Sequence, residues 1–536
     1  MDARLAIDTT VLLLYFVVII SIGLYMGRKE ESLKDFALGG RRIPWWAVFA
    51  SLIAAETSAG TFFGTPGEGF SHRDYTYLQL AFGTILGRIL VSYIFIKPYY
   101  DYNVYSIYEY LTARFGVPTK NAASAIFMIT RVLASGARLY AAAIALVLAY
   151  EMIRGVQPGQ KETLFIYVGS TAAIVILTAI YTTFGGIKAV IWTDLIQASI
   201  MIGSALIALA LLYFAIPGGW REIVQRHGAF QISDLITTGL DPAKHGWDKI
   251  KSMFETEYTI FAGLIGAAFI TMGTHGTDQD MVQRLLTAPD IRRSRRSLIS
   301  SALADIPIAF TFLSIGLLLW VYYQAHPDPT LPKTPNETFC HFILYQMPVG
   351  LRGLLIAGIF ATAMGSLSTA INALATSFTR DWYEPYINPQ STEEQSLRAV
   401  RWATVWFSVL MIVVASTTSY LVIVHPNVRI IPIVLGIFGY TYGSLLGVFL
   451  CGMFTKRRGN DFGNIIAMIM GFIVVAILSG LPNKIASLFG GKFYTQPGWL
   501  PVMEFPWWIC FGTIATFSIA ILFKTTRDHR PPVSAG

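Results

Sequence analysis

The chain has 536 residues, 54% of them hydrophobic and 13% charged, against roughly 25% charged residues in an average soluble domain. With a mean hydropathy of +0.54, this excludes both an ordinary soluble protein and a disordered one, because neither could leave so much apolar surface in water. The net charge of +8 is scattered in short Lys and Arg clusters between apolar runs, a pattern of membrane orientation rather than of nucleic-acid binding.

The apolar runs are about 20 residues long, the length a helix needs to cross roughly 30 Å of hydrocarbon. The expected architecture is an all-α polytopic membrane protein with about thirteen spans: 8–27, 44–70, 75–98, 121–153, 164–184, 188–214, 257–283, 298–324, 351–379, 402–422, 429–454, 461–482 and 504–524. The first run, Val11 to Met26, lacks a basic leader and a small-residue cleavage site, so it is read as a retained helix. The span at 44–70 carries SAGTFFGTPGEG and the span at 257–283 carries TMGTHGTDQD. Both are rich in Gly and short polar residues, and such interruptions must face protein or water.

The two interrupted spans lie five apart, as expected if 44–214 and 257–454 are two copies of a five-helix unit. One extra helix (8–27) precedes them and two (461–524) follow, all within a single transporter domain over 1–536. An odd number of spans puts the termini on opposite sides. With the N-terminus outside, the inner segments hold 23 Lys and Arg and the outer ones 14, so the C-terminus is expected inside. Cys340, Cys451 and Cys510 show neither a disulfide framework nor metal-like spacing. Asn336-Glu337-Thr338 fits a glycosylation acceptor on an outer loop.

Several residues stand out chemically. In the span at 351–379, Thr362, Ser366 and Thr369 share one helix face, with Gly365, Ser368 and Asn372 on the adjacent stripe. Asp194 lies about two turns inside its span, where a carboxylate must be paired, hydrated or ion-bound. Arg131 and Arg138 are seven residues apart on one face, and each needs a counter-group. Asp305 is a further intramembrane acid to which the sequence assigns no role.

The motifs SLIAAETSAGTFFG (51–64), YTTFGGIKAVIWTDLIQ (181–197) and GSLSTAINALATSFTRDWY (365–383) resemble the sodium:solute symporter family. So do PWW, YEYLTARFG, GTDQDMVQR and GVFLCGMFTKR, in the same order, and the resemblance runs from about residue 8 to 460. It implies a LeuT-type 5+5 inverted repeat working by alternating access. It also implies a first sodium site at Ala54, Thr57, Thr362, Gly365 and Ser366, with Gly365 where many members have Ser. A second sodium site would use Asp194, Ser368 and Thr369.

The solute is expected to meet Glu56, Ser58, Thr61, Tyr75, Thr76, Gln79, Arg138, His275 and Asp278. Arg138 aligns with an Arg that binds the substrate carboxylate in sialic-acid-carrying members; its alternatives are a pair with Glu56 or a helix-spacing contact. Arg131 is expected to be structural or part of an inner gate.

The function expected is sodium-coupled import of a small polar organic solute. A carboxylate-bearing one (sialic acid, sugar acid, monocarboxylate or amino acid) is favoured over a neutral sugar. A solute sensor without net transport would need a signalling module, and the chain stops soon after the last span. No P-loop, activated nucleophile or His/Cys cluster points to an enzyme. The partners expected are sodium ions, the solute and the bilayer of a plasma or inner cell membrane, with no nucleic acid and no obligate protein.

Overall fold

The computed structural model describes residues 3–28, 32–154, 159–228, 230–424, 430–488, 491–494 and 496–525. Among them the regular structure is helical, apart from one isolated antiparallel bridge between Arg458 and Lys524. Nine described helices are long and apolar enough to cross a bilayer: Leu5–Met26, Thr76–Asp101, Val117–Tyr150, Gln160–Ala215, Ile291–Ala325, Leu351–Ile387, Glu393–Val424, Gly436–Phe454 and Asp461–Leu478. A tenth crossing is added if Trp45–Glu56 and Ala59–His72, bent by 64°, form one broken span.

The remaining expected spans appear in altered form. Gln160–Ala215 has 56 residues, roughly 84 Å of helix at 1.5 Å per residue, far more than one crossing needs. It breaks at Gly186, whose φ of 50° and ψ of −152° only glycine adopts readily. A Cβ there would also lie 2.7 Å from the Phe36 carbonyl oxygen. The arms on either side of Gly186 are the regions expected at 164–184 and 188–214. The segment expected at 257–283 is in pieces: the π-helical turn Ala262–Gly266, the helix Ala267–Gly276 and, beyond Thr277 and Asp278, the helix Gln279–Leu286. The last is a 16-residue apolar helix, Phe505–Ala520.

Loop expectations change more. The long 217–256 connection contains two short helices, Trp220–His227 and Gly246–Phe254. Asn336 is not on an open loop. It opens the helix Pro335–Gln346 and lies against Gly67, while Thr338 is buried.

Burial orders the bundle. In Leu351–Ile387, 83% of the most apolar stretch is buried, against 17% in Leu5–Met26, so the first is the axis of the bundle and the second its periphery. Leu351–Phe378 packs on Gln160–Ala215, Val117–Arg154, Ala3–Met26 and Trp45–Glu56. Leu13, Val17, Phe214, Trp402 and Phe462 are exposed on outward faces, as residues solvated by lipid tails should be. Small residues let backbones approach elsewhere. A Cβ on Gly316 would lie 2.0 Å from the Pro66 carbonyl oxygen, and one on Gly69 2.3 Å from that of Leu313. These contacts pin Ala59–His72 against Ile291–Ala325.

Candidate transport site

The first helix of the broken pair ends at Glu56, where Thr57 and Ser58 are extended, with ψ of 93° and 168°. The chain re-enters a helix at Ala59, with Thr61 and Phe62 amides donating to the Ser58 carbonyl. A helix end leaves its last carbonyls without amide partners. One of them, Ala54, faces Gly365 on the axial helix: a Cβ on Gly365 would lie 3.4 Å from the Ala54 oxygen and 3.1 Å from Gln197 Oε1.

The neighbouring hydroxyls are turned into their own helix. Thr362 donates to Gly358 O at 2.6 Å, Ser366 to Ala363 O at 3.1 Å, and Ser368 and Thr369 to Gly365 O at 3.2 Å. A hydroxyl that has spent its hydrogen keeps oxygen lone pairs. The gap between the break and the axial helix is therefore lined by oxygen acceptors, the donor set a hard cation takes.

Asp194 is fully buried. Its Oδ2 accepts from Ser51 Oγ at 2.5 Å and lies 3.6 Å from Arg284 Nη2, while Oδ1 has no hydrogen-bond partner. Gln197 Oε1 and Tyr181 Oη are buried too, and Tyr181 lies beside Asp194 and within reach of Ser368 and Gln197. A buried acceptor left unpaired costs about 1–3 kcal/mol, more if charged. A sodium ion is a ligand such oxygens would take.

From Asp194 an ionic chain crosses the bundle. Arg284 Nε donates to Ser51 at 2.9 Å and Nη1 to Asp280 Oδ1 at 2.9 Å. Asp280 Oδ2 lies 3.1 Å from Arg131, which pairs with Asp278. Asp278 also accepts from Tyr442 and caps the helix Gln279–Leu286 through the Asp280 amide at 2.9 Å. Arg131 is thus paired with two carboxylates, and Asp278, expected among the solute contacts, is the pin of the second break. Ser51, Asp280, Arg284 and Tyr442 were not singled out by sequence. The signal available was GTDQDMVQR itself, whose Asp280 and Arg284 are one helical turn apart.

Arg138 is different. Its guanidinium lies 4.7 Å from the centre of the Phe438 ring, on which Arg131 also stacks at 5.3 Å. Among the described residues no carboxylate pairs with it. It lines a small cavity of about 10 Å³, room for about one water, together with Ser58, Ser135 and Ser366. The cavity brings together Ser58 and Arg138 from the expected solute set and Ser366 from the expected sodium set.

Other expected contacts lie elsewhere. Glu56 accepts from Arg88 and, at 2.8 Å, from His275, so the Glu56 to Arg138 pair does not form. Asp305 accepts from the same Arg88. Gln79 is fully buried, its amide donating to the Thr76 and Tyr258 carbonyls and its oxygen accepting from the Thr237 amide. Thr76 bonds Asp74 at 2.8 Å, and Tyr75 bonds Ser314 at 3.1 Å while stacking on Phe310. Thr61 is partly buried in the first turn after the break.

Comparison with known proteins follows the same geometry. The Sodium/sialic acid symporter SiaT of Proteus mirabilis (strain HI4320) is 29% identical over 503 residues, 93% of each chain. The Sodium/sialic acid symporter NanT of Aliivibrio fischeri (strain ATCC 700601 / ES114) is 30% identical over 445 residues, covering 83% of this chain and 82% of NanT. A solved structure of a Na+-coupled sialic acid symporter, in a substrate-bound outward-open state with a novel Na+-site, superposes with a TM-score of 0.78 at 27% identity, covering 96% of this chain and 97% of that one. MhsT in complex with L-phenylalanine gives 0.51 at 14% identity, a likeness of fold alone. These neighbours are LeuT-like transporters, and the relatives are symporters rather than enzymes. A family model for the sodium:solute symporter family matches residues 36–471, and the chain belongs to that family.

Proposed function

We propose that this chain is a sodium-coupled symporter that imports a small carboxylate-bearing solute, a sialic acid or related sugar acid, by alternating access across a cell membrane. The observation that carries the reading is Arg138, a guanidinium with no carboxylate partner among the described residues, in a cavity shared with Ser58 from the break and Ser366 from the axial helix. A guanidinium offers a planar fork of donors that matches a carboxylate, and serine hydroxyls suit the hydroxyls of a sugar. The named solute of SiaT and NanT supports the same chemistry.

Sodium would bind in two places. The first is the gap between Ala54, Thr57, Thr362, Gly365 and Ser366, and the second is the unpaired edge of Asp194 with Ser368 and Thr369. Sodium bound in the first gap would tie the break to the axial helix at the edge of the solute cavity, which is how ion and solute would be coupled. Thirteen crossings, an outer N-terminus and an inverted repeat over 44–214 and 257–454 complete the reading.

The test is uptake into proteoliposomes under a sodium gradient with the interior negative. Sialic acid should accumulate only with sodium, and other sugar acids should compete where glucose and galactose do not. Arg138→Lys keeps the charge and loses the fork, so the half-saturating solute concentration should rise about tenfold or more, the equivalent of one charge-assisted hydrogen bond. Uptake indifferent to sodium would overturn the reading. Competition by neutral sugars alone would replace it with a sodium/sugar symporter.

A further inference from the structure

Glu56, Arg88, His275 and Asp305 come from four different helices and meet beside the first break. Arg88 is 1% exposed, and its Nη2 donates both to Glu56 and, at 2.6 Å, to Asp305 Oδ2, while Nη1 donates to Ser301 at 2.8 Å. The two carboxyl groups also face each other at hydrogen-bond range. Glu56 Oε1 meets His275 Nε2 at 2.8 Å, and His275 Nδ1 lies 2.9 Å from the Thr274 hydroxyl. Tyr77 is the next titratable group facing Asp305, with Glu68 beyond it. Among the described residues no second Lys or Arg pairs with either acid.

With both acids ionised, two negative charges face one guanidinium in a largely buried pocket. Such a cluster is one positive charge short. Two ionised carboxylates in contact also have no hydrogen to share. One proton on Asp305 removes both deficits. Side-chain exposures of 25% at Asp305 and 15% at Glu56 leave a path for that proton to come and go.

We propose that Asp305, held by Arg88 against Glu56, forms a proton-binding site linked to sodium binding at the adjacent break. The linkage rests on the sodium reading given above. Its sign follows from Coulomb repulsion: a sodium ion held by the break adds positive charge nearby and disfavours the proton, so sodium binding releases a proton, and acid weakens sodium binding.

The experiment uses the purified full-length protein in weakly buffered detergent with a pH-indicator dye, together with thermal unfolding as sodium is titrated at pH 5.5 to 8.5. Sodium should release up to about one proton per carrier, and the half-saturating sodium concentration should rise by as much as tenfold per pH unit on the acid side. Asp305→Asn should abolish the release while keeping sodium-induced stabilisation, and Asp305→Glu should retain both. His275→Gln, which leaves the acid pair intact, should shift the pH range of the release. Stabilisation by sodium without proton release at any pH overturns this proposal alone, as does release from Asp305→Asn equal to that of the unaltered protein. Absence of any sodium-induced stabilisation overturns the sodium reading and the linkage with it.

Discussion

Gly365 sits where the axial helix meets the break, with the Ala54 carbonyl on one side and the buried Gln197 oxygen on the other. A serine there could donate its hydrogen to Gln197 and turn lone pairs toward Ala54, adding a ligand to the gap. Gly365→Ser should therefore lower the half-saturating sodium concentration severalfold, read by thermal shift during a sodium titration; an unchanged or higher requirement would argue against a sodium ion in this gap. Ser366→Ala removes an oxygen from the same wall and should raise the requirement about tenfold, the equivalent of 1.4 kcal/mol. These ligand candidates were legible in the sequence because one helix face carries them at spacings of three and four. The engagement of Glu56 by Arg88 was not, since the two residues are brought together by packing between helices and Arg88 shows no motif. The same holds for Gln79, whose polarity suggested a solute contact and two of whose three backbone partners, Tyr258 and Thr237, lie in a distant segment.

The breaks are the elements on which the site depends, and each is held differently. The first is fixed by glycine-mediated contact of Ala59–His72 with Ile291–Ala325. The second is fixed by charge, with Asp278 capping its helix while gripped by Arg131 and Tyr442. Gly, Ser and Thr clusters announced both breaks in the sequence, because those residues weaken helices wherever they occur. The third discontinuity, at Gly186, was visible only as a gap between two expected spans, although the structure runs helix up to it from both sides. Its backbone permits a sharp test. Gly186→Ala forces a side chain into a glycine-only conformation and against the Phe36 carbonyl, and should destabilise the protein by about 1–3 kcal/mol or more. Gly203, in the same helix, has helical geometry and nothing within 4 Å of an added Cβ, so Gly203→Ala should be neutral or stabilising by about 0.4–1 kcal/mol. Thermal unfolding should fall for Gly186→Ala and hold or rise for Gly203→Ala; a joint loss would refute the backbone argument.

At the scale of the whole carrier, the number of sodium ions sets how far a solute can be concentrated. One charge moving through 100 mV contributes about 2.3 kcal/mol, and each tenfold gradient about 1.4 kcal/mol. Two sodium ions entering with one monoanion carry a single net charge, so the drive is roughly 5.1 kcal/mol, more than three decades of accumulation. One sodium ion with the same monoanion is electroneutral, and only about 1.4 kcal/mol remains, a single decade. On the proposed second sodium site, Asp194 decides between these cases. Its unpaired oxygen lies in a chain that counts three carboxylates, Asp194, Asp278 and Asp280, against two guanidiniums, Arg131 and Arg284, and so lacks one positive charge. Asp194→Asn removes that deficit and with it the reason for a second cation. Sialic acid uptake by this variant should remain sodium-driven but lose its response to membrane potential, and its accumulation should fall by two decades or more. Paired measurements in proteoliposomes, with and without an imposed potential, read both effects. If uptake by Asp194→Asn responds to potential as steeply as that of the unaltered protein, Asp194 binds no transported ion and its unpaired oxygen is answered by the fold alone.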